Sequence, residues 1–92
     1  MQREQKVFWD EVQKIQENTV KISLIKASKY DSIETLLNDV TYETICAFME
    51  LLDGYKNKDL YGKIISKSTG NEINSGIDLH DYCEDYLKCS DI

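Results

Sequence analysis

Residues 60–89, L-Y-G-K-I-I-S-K-S-T-G-N-E-I-N-S-G-I-D-L-H-D-Y-C-E-D-Y-L-K-C, decide the fold that the sequence predicts. The β-branched pair Ile64 and Ile65 is typical of a strand. Gly70 lies in a turn sequence and can adopt the left-handed conformation that a hairpin loop needs. Residues 72–74 then supply a short return strand. The first half of the stretch therefore predicts a β-hairpin.

The second half of the stretch predicts an amphipathic helix that begins at residue 78. Asp78 is the expected N-cap, because its carboxylate can accept a hydrogen bond from a free backbone N–H of the first turn. Apolar side chains recur at helical spacing and are expected to pack inward: Leu79, Tyr82, Cys83, Tyr86 and Leu87. The polar side chains between them are expected to face solvent: His80, Asp81, Glu84, Asp85 and Lys88.

Residues 1–53 predict helices, because they contain no proline and no glycine. A first helix over residues 3–28 is indicated by an apolar stripe that comprises Phe8, Val12, Ile15 and Ile22. Apolar and polar residues alternate over residues 19–25. A strand there, paired with the hairpin, is therefore the main alternative to a continuous helix.

Two further helical segments are predicted before Gly54. Asp31 is the expected N-cap of the first, with Glu34 completing a capping box. The apolar stripe slips near Thr41, which is the expected N-cap of a second segment. The pattern therefore predicts two helices, or one kinked helix, that end with Gly54 beyond the C-cap. The predicted fold is α+β: a helix-rich small domain with three N-terminal helical segments, one β-hairpin and one C-terminal helix.

Length and charge narrow the class of protein. The chain has 92 residues, which predicts a single domain over residues 1–92. Its net charge of −6 argues against binding to a phosphate backbone. A nucleic-acid regulator that uses Lys14, Lys21, Lys26 and Lys29 ranks last, because a helix scatters these lysines. No signal-peptide core and no long apolar run is visible, so we expect a cytoplasmic protein without membrane contact.

The histidine and the cysteines are the candidate metal ligands. His80 and Glu84 are neighbours on one helix face, and they are the weak candidates for a metal site. Two ligands on one helix do not complete a tetrahedral site, so we expect no bound metal and no cofactor. Cys46, Cys83 and Cys89 show no disulfide spacing, and we expect three reduced thiols.

No group of residues in the sequence indicates catalysis. A catalytic cysteine needs a nearby base, and the spacing gives no reason to place Cys46 beside His80. Among the carboxylates, Asp53 is the candidate for an unusual pKa, but we interpret it as an ordinary residue of the last helical turn. We therefore assign no catalytic residues.

The functional hypothesis is a non-enzymatic, acidic protein-interaction module, such as a regulator or inhibitor of a protein partner. The alternative is a metal-dependent or small-molecule-binding protein centred on His80 and Glu84. We also expect a homodimer, since residues 20–27 present apolar groups in too many directions for one small core. Its interface is either the return strand of the hairpin or a helical face with Trp9, Val20, Leu24 and Ala27.

Overall fold

Two long helices form the body of the protein in the computed structural model, which describes residues 1–89. Helix α1 spans Arg3–Lys26, and a 3₁₀ turn at Ala27–Lys29 leads to helix α2 at Ile33–Leu52. The helices run antiparallel, since Phe8 near the start of α1 packs edge to face on Phe48 near the end of α2. Residues 19–25 are helical, and the alternative strand is excluded.

Helix α2 begins and continues differently from the prediction. Ser32 is the N-cap, and its hydroxyl accepts a hydrogen bond from the Thr35 N–H at 3.2 Å, so the assignment of the cap to Asp31 is wrong by one residue. Thr41 lies inside the helix, where its hydroxyl donates to the Leu37 carbonyl at 2.8 Å. A threonine whose hydroxyl bonds to a carbonyl of the preceding turn lies inside a continuing helix and does not cap a new helix. Two long helices therefore replace the three predicted segments.

The end of α2 confirms the predicted stop at Gly54. Asp53 is the C-cap, and Gly54 follows with a φ of 85°. A β-carbon at Gly54 would lie 2.9 Å from Cδ2 of Tyr61, so a side chain is excluded by the backbone conformation and by the space. The chain then passes through a 3₁₀ turn at Lys58–Leu60.

The predicted β-hairpin is wrong, and with it the α+β class. The described residues are 65% helical and contain no strand, and residues 61–76 form a loop with one antiparallel bridge between Ile65 and Glu72. The Asn74 side chain replaces the next rungs of a ladder: its Oδ1 accepts from the Ile64 N–H at 3.0 Å, and its Nδ2 donates to the Gly62 carbonyl at 2.8 Å. An isolated two-stranded sheet is only marginally stable in water, and here the Asn74 side chain forms hydrogen bonds that a second strand would otherwise form.

The C-terminal helix is shorter than predicted. A 3₁₀ turn at Leu79–Tyr82 leads into helix α3 at Cys83–Tyr86, and Leu87 is already extended. Cys83 is buried as predicted, but Tyr82 is exposed and Tyr86 is 80% exposed. A 3₁₀ helix has three residues per turn instead of 3.6, so apolar residues at α-helical spacing do not all face the core.

The core is small for a chain of this length. Within residues 1–89 the buried apolar side chains are Ile15, Leu51 and Cys83. The radius of gyration is 15.1 Å, whereas a compact domain of this size has about 12 Å. No helix in the described part of the chain is long and apolar enough to cross a membrane. The helical pair therefore leaves much of its apolar surface uncovered.

Candidate functional site

Asp53 joins the end of α2 to the C-terminal helical turn. Its Oδ1 accepts a hydrogen bond from the Leu79 N–H at 2.8 Å, and its Oδ2 accepts from the His80 N–H at 3.0 Å. The same Oδ2 lies 2.7 Å from Nδ1 of His80. These two backbone N–H groups begin a helical turn and have no partner within it. Asp53 thus performs the capping that the sequence assigned to Asp78, whose side chain makes no cap bond.

The pKa values of Asp53 and His80 follow from this geometry. Burial favours the neutral acid, but hydrogen bonds from the His80 N–H, the His80 ring and the Leu79 N–H outweigh it and lower the pKa of Asp53. For His80, the hydrogen bond to Asp53 is the main cause of a raised pKa, and the charge of Asp81 adds to it. Asp53 is therefore ionised at neutral pH, and the protonated form of His80 is favoured.

The His80 ring is enclosed by polar and aromatic neighbours. Tyr55 packs edge to face on it with ring centroids 4.8 Å apart, and the Tyr55 hydroxyl donates to Oδ2 of Asp78 at 3.0 Å. The second ring nitrogen, Nε2, lies 3.3 Å from Oδ1 of Asp81. Both nitrogens therefore face carboxylates, and the cluster fastens the last helical turn to α2.

The structure does not bring the two weak metal candidates together. Glu84 is exposed and forms no hydrogen bond or ion pair with His80 in the described part of the chain. Residues 1–89 hold no group of three or more His, Cys, Asp or Glu side chains arranged to hold a metal ion. His80 is half-buried against Asp53 instead of facing solvent, so its predicted position on a polar surface is wrong.

The cysteines are free thiols in three different environments. Cys46 is half-buried, Cys83 is buried and Cys89 is exposed. Burial is the main cause that raises the pKa of the Cys46 thiol to about 12, and neighbouring Cys83 and Glu50 contribute to this increase. A thiol that stays protonated at neutral pH is a poor nucleophile. Cys46 therefore has the chemistry of a packing residue.

An uncovered apolar groove lies at the closed end of the α1–α2 pair, where the two helices are connected. Leu24 on α1 is 71% exposed, and Leu37 on α2 is 55% exposed. We call this feature the hairpin groove. Apart from Ser23, the residues that line it are apolar: Val20, Leu24, Ala27, Leu36, Leu37 and Val40.

Three of the four predicted interface residues lie in this groove. Val20, Leu24 and Ala27 form its α1 side, whereas Trp9 lies outside it, about 16 Å from Val20 along the helix axis. Trp9 is 58% exposed and points within about 20° of Val20 at 100° per residue, so it extends the same face of α1. Sequence reasoning missed the α2 side, because it assigned that apolar stripe to the core.

Comparisons with protein-family models, with curated proteins and with solved structures find no match. The functional argument therefore depends on the geometry of this chain. Its two most informative features are the Asp53–His80 cluster, which fastens one end of α2, and the hairpin groove, which is open at the other end.

Proposed function

We propose that the chain is a non-enzymatic protein-interaction module that binds a second copy of itself through the hairpin groove. The observation that carries this proposal is the exposure of the apolar groove on a chain that buries few apolar side chains of its own. An exposed apolar patch of this kind is typical of a protein contact. The clusters of polar residues described above support no reaction.

The stability of the monomer favours association. A chain of 92 residues has a limited core, and each square ångström of apolar surface removed from water contributes about 25 cal/mol. Leu24 and Leu37 leave most of their area in water when the chain is alone. A partner that covers the groove recovers this free energy without any change in the helical pair.

A second copy could cover the groove by packing helix against helix. Two antiparallel helical pairs that pack through their apolar faces form a four-helix arrangement. A standard interface takes roughly 800 Å² from each partner, so the contact would extend from the groove along the same face of α1 toward Trp9, which is also exposed. An apolar surface that meets its own copy across a two-fold axis also needs no complementary charge.

Sedimentation equilibrium at micromolar concentration tests the proposal, with Leu24→Glu as the disrupting variant. We expect the wild type at twice the 10.7 kDa of one chain and Leu24→Glu at 10.7 kDa. Ile25→Glu is the matched control, because Ile25 is 76% exposed on the same helix but points about 100° away. It is expected to remain dimeric.

The wild-type mass decides between the occupants of the groove. A wild type that stays at 10.7 kDa at the highest concentration tested would refute self-association and leave a foreign protein, such as the target of a regulator or inhibitor, as the occupant. Equal disruption by the variants at Leu24 and Ile25 would show that the groove is not the interface. Because each copy carries a net charge of −6, added salt should strengthen the dimer by screening repulsion.

A further inference from the structure

Residues 77–87 pack on the C-terminal half of α2, and we call this segment the strap. Its 3₁₀ turn and α3 both contact α2, and Cys83 within it is buried. Leu79 and Cys83 of the strap line an apolar pocket together with Ile45 and Met49 of α2. The strap therefore partly covers an apolar side of α2, away from the hairpin groove at the other end of the helix.

The strap and α2 both carry negative charge. The acidic residues of the strap are Asp78, Asp81, Glu84 and Asp85, and His80 is its one residue that can become positive. Helix α2 contains acidic residues but no lysine, arginine or histidine. The free carbonyl groups at the C-terminal end of a helix add a partial negative charge. Because like charges repel, a cation between the strap and α2 favours their contact.

His80 lies where that cation is needed. Nδ1 of its ring is 2.7 Å from Oδ2 of Asp53, the C-cap of α2, and Nε2 is 3.3 Å from Oδ1 of Asp81 on the strap. Only the protonated ring carries a hydrogen on both nitrogens, so only this form can donate to both carboxylates. The neutral ring has one N–H, and its other nitrogen then presents a lone pair to a carboxylate.

The other charged groups around the ring are mostly acidic. Glu50 in the last turn of α2 also favours the protonated ring, and Lys56 offsets part of this charge through a contact of 3.7 Å between its Nζ and Oε2 of Glu50. Tyr55 packs on the ring, and its hydroxyl donates to Asp78 of the strap. Loss of the proton from His80 therefore leaves an excess of negative charge between the strap and α2.

We propose that the strap is a pH-sensitive latch, which is closed on α2 while His80 is protonated and loosens when His80 loses its proton. The hydrogen bond to Asp53 raises the pKa of His80 in the closed form, so protons favour closure and this advantage is lost as pH rises. The loosened strap opens locally while α1 and α2 stay packed. Opening uncovers Cys83 and the apolar side of α2 that it contacts. The latch does not depend on self-association through the hairpin groove.

The rate at which methyl methanethiosulfonate labels Cys83 in the full chain, measured between pH 5.5 and pH 8.5, tests the proposal. Cys89 is exposed and serves as the internal reference for the reactivity of the reagent, and trypsin separates the two thiols at Lys88. We expect the ratio of the Cys83 rate to the Cys89 rate to rise about fivefold with pH, the effect of one charge pair of about 1 kcal/mol. The midpoint of this rise should coincide with the titration of His80, the one histidine, in proton NMR spectra. A midpoint elsewhere would overturn the proposal without the need for any variant.

Two variants assign the effect to the His80 ring. His80→Gln cannot be protonated, so its labelling ratio should be high throughout and independent of pH. Glu84→Gln is the matched control, because Glu84 is an exposed strap residue without a bond to His80 in the described part of the chain, and it should retain the fivefold rise. A wild-type ratio that does not change with pH, or a rise that persists in His80→Gln, would overturn the proposal. Labelling of Cys83 that increases with urea as steeply as global unfolding would show that the strap does not open locally, and it would overturn the latch as well.

Discussion

Replacement of Asp53 by asparagine should destabilise the protein more than any other single change of charge in the described chain. The wild-type carboxylate accepts three hydrogen bonds, and its side chain is 1% exposed. Asparagine has nearly the same shape but offers one acceptor atom and two N–H donors. At least one backbone N–H or the His80 ring then faces a donor and loses its partner.

The size of this effect can be estimated from the bonds. A hydrogen bond to a buried charged group contributes about 1.5–3 kcal/mol, and an unpaired buried donor costs about 1–3 kcal/mol. His80 retains some contact with water, which reduces its share. We expect a loss of about 3 kcal/mol, a large part of the roughly 5–15 kcal/mol that stabilises a typical domain. The melting temperature should fall by roughly 15 °C.

Urea denaturation followed by far-ultraviolet circular dichroism measures the loss. Asp81→Asn is the matched control, because Asp81 lies 3.3 Å from the other nitrogen of His80 but is exposed. It should cost at most about 1 kcal/mol. If Asp53→Asn costs no more than the control, the proposed fastening of the last helical turn to α2 is wrong.

Four further predictions concern the pKa values of His80 and Asp53, the backbone at Gly54 and the N-cap of α2. The raised pKa of His80 stabilises the fold below its ordinary value of 6.5, so the urea midpoint should fall as pH rises from 6 to 9, and a His80→Gln variant should lose this slope. The lowered pKa of Asp53 has its effect at acidic pH, where the stability of the fold should be lost as pH falls below about 4. Gly54→Ala should cost more than about 1 kcal/mol in the same urea assay, since its φ is 85°. Ser32→Ala should cost about 1 kcal/mol through loss of the N-cap, whereas Asp31→Ala should leave the midpoint nearly unchanged.

The helices were predictable where the signal is local. The stripe of Phe8, Val12 and Ile15 repeats at 3.6 residues, and it marks the face of α1 that packs on α2. Gly54 ends α2 because the residue itself permits a positive φ. The helix break predicted at Thr41 is wrong for an equally local reason. A slip in the apolar stripe does not end the helix, because the Thr41 hydroxyl bonds to a carbonyl of the preceding turn.

The fastening of the C-terminal turn was not predictable from local patterns. Asp53 and His80 are 27 positions apart, and each is ordinary in its own segment. Asp78 has the position and type of an N-cap, so the sequence favours it. The hairpin prediction is wrong for the same reason. The strand propensity of Ile64 gives no information about the Asn74 side chain, which bonds to the Ile64 backbone N–H. Both errors come from side chains that satisfy distant backbone groups.

The two ends of α2 differ in a way that bears on the proposed function. At the C-terminal end, Asp53, His80 and Tyr55 hold a later segment against the helix, and Leu51 in the last turn of α2 is fully buried. At the N-terminal end, α1 packs against α2, Tyr30 of the connecting segment bonds to Asp39, and Leu37 remains mostly in water. Within residues 1–89, the residues that line the hairpin groove all belong to α1, α2 and the turn between them. The proposed second copy would cover the hairpin groove, which is why the self-association experiment is the most direct test of the proposed function.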